Sequence, residues 1–136
     1  MISINSVNKN VKCNIILQEG IGACFDLSGS GKTFAFKIIE NYCEQNDIPC
    51  RKFDYTAMGS SLEFFITACK GKDVVIFDNA DLYITPEILL GVKNLGVKYI
   101  LASIKSRSYL KGTSPIYYRT VLDKTQKTLT IYKIGK

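Results

Sequence analysis

The residues whose types and spacing could do chemistry are concentrated in one run, Asp26-Leu27-Ser28-Gly29-Ser30-Gly31-Lys32-Thr33. Gly29 and Gly31 let the main chain curl until successive N–H groups face one hollow. A helix beginning near Lys32 would contribute the positive end of its dipole. The Lys32 ammonium can meet an anion with a full charge, and the Thr33 hydroxyl has lone pairs suited to a hard divalent cation. Together these groups describe a grip for phosphate.

A second chemical element follows 45 residues after Thr33. Val74-Val75-Ile76-Phe77 is the strongest signal for a buried strand in the chain, and it ends in Asp78. A carboxylate at a strand tip can hold a magnesium ion directly or through its water shell. Asn79 comes next; its amide can orient a water but cannot take its proton. Asp81 is the nearest further carboxylate, with Asp54 and Glu87 more remote. Ser103, near the end of a later apolar strand, and Arg107, in the polar stretch after it, complete the candidate set.

These residues resemble the P-loop NTPase superfamily over about residues 21–103. Residues 26–33 resemble its Walker A element and residues 74–78 its Walker B element. The family's opening glycine is replaced by Asp26. The resemblance implies that Ser28, Gly29, Ser30, Gly31, Lys32 and Thr33 bind the phosphates of ATP or another nucleotide, and that Thr33 and Asp78 hold Mg2+. In the branch that includes AAA-type and ABC-type ATPases, a glutamate usually occupies the position of Asn79, and a polar residue at that of Ser103 senses the terminal phosphate. The chain has neither an ABC-type signature after the first helix nor room for an AAA-type lid.

The elements that must position these residues follow from hydrophobic pattern. Residues 2–7 and 11–17 read as strands around the turn residues Asn8-Lys9-Asn10. Residues 21–25 form a nearly unbroken apolar run, as expected for a strand covered on both faces. Residues 32–45 read as a helix with Phe34, Ile38, Ile39 and Tyr42 along its buried stripe, ended by Asn46-Asp47 and Pro49. A strand at 50–55 precedes a helix with Ser60-x-x-Glu63 as its capping box and with Leu62, Phe65, Ile66 and Cys69 on one face. Thr85-Pro86 marks the start of a third helix, and 97–104 reads as a strand. Residues 105–115 read as a polar loop, and 116–122 and 128–134 as a hairpin. Alternating strands and helices predict an α/β fold in three layers, P-loop NTPase-like, with a mainly parallel sheet and antiparallel N- and C-terminal strands.

Length and composition limit the alternatives. The chain of 136 residues suits a single domain, residues 1–136. Its five cysteines form no C-x-x-C pair and there is no histidine, so disulfide-framework and zinc-site readings lose their usual members. The thiols read as reduced core residues. No segment approaches a membrane span, and the N-terminus lacks a signal-peptide pattern, which leaves a cytoplasmic location as the default expectation. The net charge of +6 comes from dispersed lysines, which favours a solvated basic surface over a nucleic-acid footprint. Three readings stand on the residues: a small ATP-binding protein with slow ATPase activity, a small-molecule kinase, or a non-catalytic nucleotide-binding assembly module. A protein partner or self-association suits the last. A nucleic-acid motor rests on net charge alone.

Overall fold

The computed structural model describes residues 1–24, 31–105, 110 and 112–134. Among the described residues eight strands form one sheet: β1 (Ile2–Asn8), β2 (Val11–Leu17), β3 (Gly20–Cys24), β4 (Cys50–Phe53), β5 (Val74–Phe77), β6 (Tyr99–Ser103), β7 (Ile116–Asp123) and β8 (Thr128–Lys133). Their order across the sheet is β1-β2-β8-β7-β3-β6-β5-β4. From β7 to β4 every neighbouring pair is parallel. The hairpins β1–β2 and β7–β8 are antiparallel, as their turns predict, and they join each other through a parallel β2–β8 pairing.

Helices cover both faces. α1 (Lys32–Gln45) packs on one side with Phe36, Ile39 and Cys43 against Ile15, Leu17, Ile76 and Leu101. α2 (Leu62–Cys69) and α3 (Pro86–Lys93) pack on the other, where Phe65, Leu89 and Val92 meet Val75, Phe77 and Ile100. All four residues of β5 are fully buried, odd positions toward one helix layer and even positions toward the other. Each such side chain contributes about 1.5–3 kcal/mol by leaving water. The unbroken apolar run of β5 thus follows from burial on both faces.

Three local details differ from the sequence pattern. The buried stripe of α1 is Ala35, Phe36, Ile38, Ile39 and Cys43, with Phe34 and Tyr42 only half-buried at its margins. The sheet lies about one position round the helix from the predicted face. The cap of α2 is Ser61, whose hydroxyl accepts from the Phe64 N–H at 3.1 Å, and not Ser60. Starting one residue later sets Phe65 and Cys69 toward the core. Leu110, inside the stretch read as a polar loop, is buried against the α2–α3 side of the sheet. None of the five cysteines is in a disulfide; four are buried and Cys50 is half-buried.

Close packing behind the first loop depends on Gly22 in β3. A Cβ there would lie 2.6 Å from Tyr118 Cε2 and 2.8 Å from Leu101 Cδ2. Neither neighbour can give way easily, since Tyr118 is buried and its hydroxyl accepts from the Gln18 N–H. Gly22→Ala is expected to lower unfolding free energy by about 1–3 kcal/mol, the usual cost of overpacking, measured by urea denaturation.

Candidate functional site

The parallel strands β3, β5 and β6 end at one edge of the sheet, where β6 lies between the other two. Register sets Cys24 beside Ser103 and Phe77 beside Ala102. The chain leaving β3 must turn into α1 at this edge, and Asp78 emerges from β5 at the same level. Crevices at the carboxyl ends of parallel strands are where open α/β sheets bind ligands.

The described end of the first loop is built for a tight approach. Gly31 takes φ 92° and ψ 14° as the residue before α1. A Cβ on it would lie 3.1 Å from Leu122 Cβ and 3.2 Å from Leu129 Cδ1. Left-handed geometry and lack of space both select glycine here. The start of α1 also differs from the starts of the other two α-helices. α2 is capped by Ser61 with Glu63 in its first turn, and α3 by Thr85 with Glu87 in its first turn. α1 has no side-chain cap hydrogen bond and no acid of its own in its first turn; among the described residues the carboxylate that meets this end of the helix is Asp78, through Thr33. Ser28, Gly29 and Ser30, with Asp26, lie outside the described residues.

Asp78 is the hub of the site and is buried, at 6% exposure. Its Oδ2 accepts from the Thr33 hydroxyl at 3.1 Å, although the two residues are 45 positions apart. Its Oδ1 accepts from the Ser103 hydroxyl, also at 3.1 Å. The Ser103 oxygen in turn accepts from the Asn79 N–H at 2.8 Å. The single Ser103 proton is therefore committed to Asp78. Ser103 can donate to a phosphate only by releasing that bond, although a lone pair remains to accept.

The remaining candidate acids have local partners. The Asp81 Oδ2 accepts from the Lys105 N–H at 2.6 Å, which ties the chain leaving β6, while Oδ1 is buried without a hydrogen-bond partner among the described residues. The Asp54 Oδ1 accepts from the Thr56 N–H and hydroxyl at 3.0 and 2.6 Å, and these bonds hold its carboxyl below the usual range. Glu87 serves the first turn of α3. Arg107 lies outside the described residues. The structure thus brings Thr33, Asp78, Asn79 and Ser103 into one network, with Gly31 and Lys32 at its helix end.

One member escaped the pattern of motifs. The Tyr83 hydroxyl donates to the Asp78 backbone carbonyl at 2.5 Å. Tyr83 follows the short 3₁₀ turn Ala80–Leu82, and its ring stacks on Phe65 with centroids 6.1 Å apart. Burial first, then the charges of Asp78 and Asp54, push its phenol well above the ordinary value. It stays a neutral donor throughout the physiological range. No local sequence pattern distinguishes such a tyrosine from one that merely fills the core.

Among solved structures, the fold is similar to that of AMPPCP-bound DnaA from Aquifex aeolicus. The TM-score is 0.57 at 18% identity, and the match covers 82% of this chain and 43% of that one. A crystal structure of a DNA replication initiation factor is similar to the same degree, with a TM-score of 0.58 at 18% identity and coverage of 80% and 42%. At this identity the likeness is one of fold, and the chain matches less than half the length of either protein. No family model and no curated protein matches the chain in sequence. Among the described residues, no helix is long and apolar enough to cross a membrane.

Proposed function

We propose that this protein binds a nucleoside triphosphate, ATP in the first instance, as its magnesium complex. The observation that carries the reading is the hydrogen bond from Thr33 to Asp78 beside the uncapped start of α1. It unites the two separate motifs at one sheet edge. The fold shared with a nucleotide-bound protein supports the same reading.

In this reading the loop amides of Ser28, Gly29, Ser30 and Gly31 surround the phosphates, and the Lys32 ammonium meets their outer charge. The Thr33 hydroxyl donates to Asp78 and so keeps its oxygen lone pairs available. A hydroxyl and a carboxylate are the hard oxygen donors that Mg2+ accepts, few in number because phosphate and water supply the rest. The donor set fits the ion, with Thr33 and Asp78 holding it. When bound, the ion neutralises phosphate charge.

Hydrolysis is less well provided for. Asp78 already accepts two hydroxyl donors, Asp81 is bonded to the Lys105 amide, and Asn79 cannot accept a proton. These bonds favour a second reading, a nucleotide-binding assembly module in which occupancy sets a conformation for a partner or another copy. Titration of ATP and GTP, each with and without Mg2+, combined with an assay of phosphate release, tests both. Binding with slow release supports an ATPase, and binding with no release supports the assembly module. Transfer to an added metabolite supports a small-molecule kinase. Salt-sensitive stimulation of turnover by DNA would bring a nucleic-acid partner into the account. Absence of nucleotide binding overturns the proposal.

A further inference from the structure

We infer that Tyr83 is a positioning residue for the magnesium-binding carboxylate, acting through the Asp78–Asn79 peptide group. The inference rests on the nucleotide-binding reading of the site. The Asp78 carbonyl and the Asn79 N–H belong to the same peptide unit, and each end of that unit is held. Tyr83 O–H donates to the carbonyl, and the N–H donates to Ser103 Oγ. The Ser103 hydroxyl then donates to Asp78 Oδ1. The bonds run in one direction, from the phenol through the peptide and the serine to the carboxylate that flanks it. Aligned chains of this kind strengthen their members.

The arrangement also explains a backbone feature. Asn79 adopts φ 54° and ψ 45°, a left-handed conformation that asparagine tolerates better than most residues. A peptide flip would relieve it, turning the carbonyl toward Ser103 and the N–H toward Tyr83. The phenol, a donor, and Ser103 Oγ, with its proton already committed, oppose that flip at both ends. The peptide therefore stays in the orientation that aims Asp78 at Thr33. Tyr83 is fixed in turn by stacking on Phe65 and by an edge contact with Phe77 at 6.3 Å.

Tyr83→Phe removes only the hydroxyl and keeps these ring contacts. The informative readout is the magnesium increment, the ratio of ATP affinity with Mg2+ to that in EDTA. A purely structural role would lower both affinities alike. A positioning role is expected to cut the increment about tenfold, the effect typical of outer partners of a metal ligand, with the affinity in EDTA nearly unchanged. Faster exchange of the Asn79 amide should accompany it. Ile88→Val, a conservative trim of the core at α3, serves as the stability control and should leave the increment intact. An unchanged increment in folded Tyr83→Phe, beside a clear one in the wild type, overturns this inference alone. A wild type with no increment overturns the assignment of the metal site as well.

Discussion

Replacing Lys32 by alanine is expected to weaken ATP binding roughly 10- to 100-fold, the range of about 1.5–3 kcal/mol that a hydrogen bond to a charged group contributes. Lys32 is the first residue of α1, next to Gly31 in its left-handed conformation, and the first turn of the helix carries no side-chain cap and no acid of its own. A phosphate held there meets the ammonium and the first helical N–H groups together. Alanine keeps the helix, since it is the best helix former, and the lysine is only half-buried. Thermal unfolding should shift by no more than about 3 °C, as for ordinary surface substitutions. Calorimetric titration beside a melting curve separates the two effects. Equal affinity in both proteins would mean that the phosphates do not lie at this helix start.

Asp78→Asn is expected to act on the magnesium complex. The side chain keeps its size, but an NH2 replaces one acceptor oxygen, and two hydroxyl donors, Thr33 and Ser103, then face a single acceptor. Either the Thr33 bond or the Ser103 bond must be lost or reversed. The charge that would meet the cation is lost as well. The gain in ATP affinity on adding Mg2+ should fall about 10- to 100-fold, the scale seen when groups that orient or supply a metal ligand are changed. Binding in EDTA should stay within about threefold of wild type, because the loop amides and Lys32 are not themselves changed. Loss of both affinities to the same extent would assign Asp78 a structural role in the loop instead.

Sequence pattern reached those parts of the fold that local physics decides. α1 begins and ends where the glycine and Asn46 require, Thr85 caps α3 through the Ile88 N–H at 3.2 Å, and β5 coincides with its apolar run. Thr33, Asp78 and Ser103, singled out one by one in the sequence, are joined in the structure by hydrogen bonds that span 45 and 25 positions. Where neighbouring residues were chemically equivalent, local pattern could not choose. Ser60 and Ser61 are both good caps, and the core contacts of Phe65 and Cys69 decide between them. Pairing between distant segments was also out of reach, as with the parallel join of β2 to β8, because no local preference encodes which edges meet. Tyr83 stayed hidden for a similar reason. Its hydroxyl meets a main-chain carbonyl, which no side-chain pattern marks.

The account depends most on one claim, that main-chain amides at the start of α1 grip a polyphosphate with Asp78 close by. Amide chemical shifts followed during titration with magnesium ATP test it directly. The largest changes should fall on residues 28–33, with smaller ones at Asn79 and Ser103, and they should saturate together at one equivalent. Saturating shifts centred instead on the open groove of Arg51, Ser61 and Phe64 beside α2, with residues 28–33 unmoved, would contradict it.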